Sequence, residues 1–237
     1  MYRSIVKTAL ITATVTLFAG SAVAADFPET LHALRMVPDI SQRIAKRTQP
    51  ISPSIMRDML ADYQRLAESG ELDALIERSA IPGPRLFYAG VPSTFQELLD
   101  MYGHVNPAEY ELLKRDTKKA IYAMYDGYLA REVARELWEA WTLYLGNGDA
   151  FRHCLWMYLT SEDTGTSFAK EWGDAHETED SGPAVSKEMD LYNNWVGRML
   201  YDWGEPVDSV IVAVVTGNLV RANMGVIEPT NSDGLKI

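Results

Sequence analysis

Apolar residues recur about every 3.6 positions through most of this chain, and that spacing forms one apolar face on an α-helix. The pattern is strongest between Pro107 and Leu145. Six further stretches show it: 54–69, 72–79, 149–160, 165–177, 184–203 and 207–222. We therefore predict an all-α fold, with a single multi-helix domain and a looser N-terminal region.

One of these stretches also suits a β-strand. The run from Val210 to Val215 is largely β-branched, which favours strands. Both secondary structures remain open at 208–216 on composition alone. A single strand would have no obvious pairing partner, so we predict a buried helix.

Changes in composition divide the chain into four regions. These are a signal peptide at 1–25, an N-terminal helical and loop region at 26–92, a helical domain with a polar site at 93–225, and a flexible tail at 226–237. Within the second region we expect a short helix near 39–47 and a connector at 81–92.

The first residues have the pattern of a secretory signal. Arg3 and Lys7 precede an apolar run, and small residues at 21–24 match a cleavage site. We predict cleavage near Ala24 or Ala25 and a periplasmic or secreted protein. The alternative is an uncleaved anchor, but the run is short and the residues directly after it are small and acidic rather than basic. After cleavage we expect no membrane-spanning segment, because no later stretch approaches about 20 apolar residues.

The formal net charge is −11, and there is no run of Lys and Arg. Such a chain is repelled by nucleic-acid phosphates, so we expect no nucleic-acid partner. Acidity does not exclude a metal ion, which brings its own positive charge. The single cysteine, Cys154, cannot form an internal disulfide, and we predict a buried structural thiol.

Polar side chains gather in three segments of the predicted domain. They are NGDAFRH (147–153), GDAHE (173–177) and EMDLYNN (188–194). Asn is a poor residue for a helix interior, so a pair of them suggests amides hydrogen-bonded to something specific. If the segments converge, imidazoles, carboxylates and amides share one site.

Those groups suit a divalent ion such as Zn²⁺, Mn²⁺ or Ca²⁺, or acid–base chemistry without one. The candidate metal ligands are His153, Asp174, His176 and Asp190. The candidate catalytic residues are His153, His176, Glu177 and Arg152. The candidates for orienting a substrate are Asn193, Asn194, Asp149 and Trp156.

Each candidate also has a structural interpretation. Asp149 suits a helix cap that pairs with Arg152 three residues on. His153 suits a hydrogen-bonded core histidine, and the Asn pair suits an amide network that braces two helices. Asp174 and Glu177 share a helix face only if the helix continues to residue 177.

The runs DAFRHCLWMYL, FAKEWGDAHE and MDLYNNWVGR together resemble an uncharacterised bacterial domain family with DAFRHA-x-W, DAHE and MDxxNNxxG motifs. The resemblance covers roughly 140–225. That family resembles modules seen in secreted proteins and at the C-termini of toxin-like proteins, and the resemblance implies a site rather than a known reaction. The matching positions are Asp149, Arg152, His153, Trp156, Asp174, His176, Glu177, Asp190, Asn193, Asn194 and Gly197. Cys154 stands where the family has a small residue, which argues against thiol chemistry.

Three functional hypotheses follow. The first is an exported hydrolase, metal-dependent or not, that acts on a small-molecule or envelope substrate such as phospholipid or cell-wall material. The second is a non-catalytic envelope protein whose polar cluster is a structural network or a ligand-binding site. The third is a toxin-type effector.

Overall fold

The computed structural model describes residues 35, 42–46, 49–79, 90–179 and 182–236. The predicted signal peptide and most of the connector predicted at 81–92 lie outside these residues. Within them the fold is mostly helical, as predicted. None of the described helices has the length and apolar character needed to cross a membrane.

The elements of the described chain follow one another in this order: α1 (Pro53–Ser69), α2 (Glu71–Ser79), α3 (Phe95–Tyr102), α4 (Pro107–Arg115), α5 (Thr117–Leu137), a 3-10 turn (Ala140–Thr142), α6 (Asn147–Thr164), α7 (Thr166–His176), α8 (Ala184–Asp202), α9 (Ser209–Val215), β1 (Val220–Asn223) and β2 (Val226–Pro229).

The long helical pattern that begins at Pro107 is interrupted at Asp116. The Asp116 carboxylate accepts a hydrogen bond from Lys119 N and caps the start of α5. The preceding helix, α4, begins with a capping box in which the side chains of Asn106 and Glu109 each bind the other residue's backbone nitrogen. This box places Glu109 in the interior, where it later forms part of the site.

Helix α6 is the centre of the domain and packs against α5, α7, α8 and α9. It crosses α8 closely at Gly197, where an added Cβ would lie 2.2 Å from the Cys154 carbonyl oxygen. Gly127 of α5 lies against Trp156 in a similar way, with an added Cβ at 3.0 Å from the indole. These glycines set the spacing of the helices that carry the polar segments.

The helix predicted over 207–222 is wrong in its second half, because α9 ends at Val215 and β1 follows. The helical choice for the β-branched run itself is confirmed. The change to strand has a specific cause in the side chain of Asn193. It donates to Val220 O at 2.8 Å and accepts from Val220 N at 3.0 Å, as a neighbouring strand would.

The tail predicted to be flexible over 226–237 is held against the helices in the described residues. Strand β2 pairs antiparallel with β1. Asn147 Nδ2 donates to Asn231 Oδ1 at 2.7 Å, and Asn231 N donates back to Asn147 Oδ1 at 3.2 Å. Leu235 is buried. Hydrogen bonds rather than a periodic apolar face order this segment, so the apolar pattern did not reveal it.

Candidate functional site

Residues from all three polar segments line one cavity of about 560 Å³ that opens to solvent. It lies where α6, the C-terminal end of α7 and α8 meet α3, α4 and α5. The groups on its wall with potential for chemistry are Tyr102, Glu109, Arg152, His153, Trp156, His176, Glu177 and Asp190.

Asp149 connects the first turn of α6 with the loop before it. Its Oδ2 accepts a hydrogen bond from Leu145 N at 2.8 Å. This bond holds Leu145 in a left-handed backbone conformation, with a φ of 61°. Its Oδ1 accepts from Arg152 Nη2 at 2.6 Å. The i,i+3 pairing proposed from the sequence is therefore present, and it is buried on the carboxylate side.

His153 is buried one turn after Asp149, and its hydrogen bonds define its tautomer. Asn194 Nδ2 donates to Glu177 Oε1 at 3.4 Å, which leaves Asn194 Oδ1 to face His153 Nδ1 at 3.2 Å. Nδ1 must then carry the proton and donate it to the amide oxygen. Burial, followed by the charge of Arg152, lowers the pKa of His153 well below its usual value. The imidazole is neutral, with a lone pair on Nε2.

That lone pair points into a cluster of buried oxygen atoms. His153 Nε2 lies 3.1 Å from Asp190 Oδ1 and 3.8 Å from Asp149 Oδ1. One ligand atom from each of Asp149, His153 and Asp190 can be chosen so that all lie within 4.8 Å of one another. One imidazole and two carboxylates are ligands that Zn²⁺ and Mn²⁺ accept, so this group could hold a divalent ion.

Arg152 supplies the positive charge beside this cluster. Its Nη2 is 2.5 Å from His153 Nε2 as well as 2.6 Å from Asp149 Oδ1. Burial lowers the pKa of Arg152, but the charges of Asp149, Asp190 and Glu177 outweigh this effect and raise it. One guanidinium thus faces three carboxylates.

His176 lies on the same wall and is bound to Glu109 of α4. The Nδ1 atom of His176 is 2.8 Å from Glu109 Oε1, and Tyr102 OH donates to that same oxygen at 2.5 Å. Burial lowers the pKa of His176, but the attraction and hydrogen bond of Glu109 reverse this, so that the pKa is raised. The rings of His176 and Trp156 form a T-shaped pair, with centroids 4.7 Å apart.

Two predicted site residues are placed elsewhere. Asp174 forms an ion pair with Lys170 on the outer face of α7, with 43% of its side chain exposed. Asp174 and His176 are two positions apart, about 200° around a helix, so they face opposite directions. Asn193 is fully buried, and both ends of its amide are used on Val220, away from the cavity.

Sequence reasoning missed Tyr102 and Glu109. Glu109 was visible only as a possible partner in a capping box after Asn106. Its Oε2 does accept from Asn106 N at 2.9 Å, but its Oε1 is left for His176, 67 positions away. Asn106 also donates to Ala175 O at 2.8 Å, which ties the start of α4 to the end of α7. No local pattern indicates that contact.

A family model described as "Domain of unknown function (DUF6973)" matches residues 111–219. The match includes α5 to α9 and all three polar segments, whereas Tyr102 and Glu109 precede it. Searches of curated proteins and of solved structures found no match. Over the matched range the chain therefore fits an uncharacterised domain family.

Proposed function

We propose that this domain is a divalent-metal-dependent hydrolase, with Asp149, His153 and Asp190 as the metal ligands. The contact that carries the proposal joins His153 Nε2 to Asp190 Oδ1 at 3.1 Å. The tautomer set by Asn194 makes His153 Nε2 a hydrogen-bond acceptor, and an ionised Asp190 presents a second acceptor at Oδ1. Two acceptors at this distance repel each other unless they share a cation, either the Arg152 guanidinium or a divalent ion.

The remaining groups have separate roles in the proposal. A divalent ion bound here would lower the pKa of a coordinated water toward neutrality. In this proposal His176, which Glu109 orients through Nδ1, takes or gives a proton at Nε2. Glu177 and Asn194 are positioning residues that hold the tautomer of His153.

The metal is tested by elemental analysis of the purified protein and by melting curves with and without chelator. We expect about one divalent ion per chain after incubation with Zn²⁺, Mn²⁺ or Ca²⁺, and a lower Tm with chelator. Asp190→Asn should lose the ion. Asp174→Asn is the matched control, because Asp174 pairs with Lys170 outside the cluster, and it should keep the ion. An ion-free protein with no response to chelator would remove the proposal.

A second function, a non-catalytic network that braces the helices, is favoured by one contact. Arg152 Nη2 already bonds both Asp149 and His153. If Arg152 alone completes the cluster, added metal leaves the Tm unchanged. In that case Arg152→Gln should lower the free energy of unfolding by about 1–3 kcal/mol, because two buried acceptors lose their donor.

We further propose that the protein is exported and that its substrate comes from the cell envelope. This rests on the predicted cleavage near Ala24 or Ala25 and on the substrates that an exported protein would meet, phospholipid or cell-wall material. Fractionation of expressing cells followed by N-terminal sequencing tests it. We expect a periplasmic or secreted chain that begins near Ala25 or Asp26. A chain that keeps Met1 and stays in the cytoplasm would contradict export.

A further inference from the structure

Arg152 already bonds two of the three proposed metal ligands. Its Nη2 atom lies 2.6 Å from Asp149 Oδ1 and 2.5 Å from His153 Nε2. In the proposed metal site, the same oxygen of Asp149 and the same nitrogen of His153 would bind the ion. A guanidinium cannot shed its proton in a protein, so it cannot make room by becoming neutral. A divalent ion and the Arg152 charge therefore compete for the same two atoms.

The surroundings allow Arg152 to move while its two partners stay in place. The side chain of Arg152 is 26% exposed and lines the cavity, whereas those of Asp149 and His153 are 5% and 1% exposed. The guanidinium therefore lies between the cluster and the open space. A displaced side chain can turn into a cavity of about 560 Å³ without disturbing the core.

We propose that Arg152 and a divalent ion exclude each other from Asp149 and His153, and that the displaced guanidinium becomes the anion-binding group of the cavity. The inference rests on the proposed metal site. It adds the substrate class: a molecule with an oxyanion of the phosphate or carboxylate type. Such a group can bind the fork of N–H donors on Arg152 and an open position on the ion together.

The charges around Arg152 support this second step. Its charge is balanced by Asp149, Asp190 and Glu177. An ion held by Asp149 and Asp190 would take over two of those carboxylates. The guanidinium would then have Glu177 as its one remaining partner in this group and would bind an added anion more readily. Metal and anion should consequently bind cooperatively, each raising the affinity for the other by the same factor.

Calorimetric titration of Mn²⁺ into the wild-type protein, with and without sulfate at constant ionic strength, tests the cooperativity. We expect sulfate to tighten Mn²⁺ binding by roughly fivefold or more, a typical coupling between sites. This measurement needs no variant, so it remains decisive even if substitutions at Arg152 prevent folding. Mn²⁺ binding that is indifferent to sulfate would overturn the anion step.

The exclusion is tested with Arg152→Gln, and Arg135→Gln is the matched control. Arg135 also lines the cavity but pairs with Glu132, away from the cluster. Without sulfate, R152Q should bind Mn²⁺ at least about tenfold more tightly than wild type, because a charged hydrogen bond no longer opposes the ion. It should also lose the sulfate response, while R135Q behaves like wild type.

The two proposals fail in different ways. If wild type binds Mn²⁺ and R152Q binds it no more tightly, the exclusion is wrong and the metal site stands. If neither protein binds Mn²⁺, Zn²⁺ or Ca²⁺, the proposed metal function fails and this inference fails with it. Arg152→Lys adds a check on charge, since a retained positive charge should leave the affinity well below that of R152Q.

Discussion

Glu109 Oε1 lies 2.8 Å from His176 Nδ1, although 67 positions separate the two residues in the chain. The contact joins Glu109, which precedes the range matched by the family model, to the end of α7 inside that range. Glu109 binds Nδ1 of the imidazole and leaves Nε2 for proton transfer in the proposed function. The proton-transfer part of the proposed function therefore depends on a residue outside the three recognised motifs.

We expect Glu109→Gln to lower the pKa of His176. In the wild-type protein the charge of Glu109 overcomes the effect of burial and raises this pKa, so a neutral amide should let burial dominate. The measurement is a histidine NMR titration of wild type and variant. Tyr102→Phe is the control, because it removes the other hydrogen bond to Glu109 Oε1 but keeps the charge of Glu109. The pKa of His176 should therefore stay higher in Y102F than in E109Q. An unchanged pKa in E109Q would rule out the pairing.

The sign of the accompanying stability change follows from linkage. The native pKa of His176 lies above its unfolded value, so between the two the native state binds more protons than the unfolded state. This contribution is fully present below about pH 6.5, the unfolded value, and is lost as the pH rises through the native pKa. In E109Q, the free energy of unfolding from urea denaturation should lack this loss of stability between about pH 6.5 and the native pKa of His176.

Much of the architecture was visible in the sequence because apolar periodicity reports directly on packing. Helices α6 to α8 lie close to their predicted bounds, and Gly197 marks a close helix crossing. Periodicity carries no information on pairings made through single polar contacts. Asn193 with Val220 and Asn147 with Asn231 order the C-terminal hairpin in this way, and both were missed.

The site shows the same division. His153 and Asp190 were identified by residue type and spacing, and the structure brings them together at 3.1 Å. Asp174 was chosen for its place in the GDAHE segment, but a helix can turn only part of such a run inward. Glu109 was overlooked because its partner in the site, His176, lies 67 positions away along the chain.

His153→Ala should lower the free energy of unfolding by about 2–4 kcal/mol. The imidazole is fully enclosed, and its loss leaves a cavity and removes a hydrogen-bond partner of Asn194 and Arg152. The matched control is His104→Ala. His104 pairs with Glu179 at the cavity rim with 43% of its side chain exposed, so we expect a change within about 0.5 kcal/mol. If H153A and H104A lower the free energy of unfolding equally in urea denaturation, the buried hydrogen bonds of His153 do not stabilise the fold.

Asp126→Asn should stabilise the protein at neutral pH and not at pH 3. Burial, with a further contribution from Asp163, raises the pKa of this carboxyl well above its usual value. Above about pH 3.9 the unfolded state ionises while the native state resists, so wild type loses stability as the pH rises. An amide does not ionise, and we expect a gain of about 1 kcal/mol or more at pH 7. A gain of the same size at pH 3 would point to packing instead.

Gly197→Ala should separate α6 from α8 and cost at least about 2 kcal/mol. The added Cβ would meet the Cys154 carbonyl oxygen at 2.2 Å. This oxygen belongs to the backbone of α6, so it cannot rotate away as the end of a side chain can, and the helices must move apart. Gly173→Ala is the control, because its Cβ would meet the flexible end of Met157, the Sδ atom, at 2.9 Å. We expect that variant to lose less than about 1 kcal/mol, since alanine favours the helix. The separation would also draw Asp190 from His153, so G197A should bind Mn²⁺ more weakly than G173A. Equal stability and equal Mn²⁺ affinity in the two variants would show that the crossing at Gly197 does not set the geometry of the site.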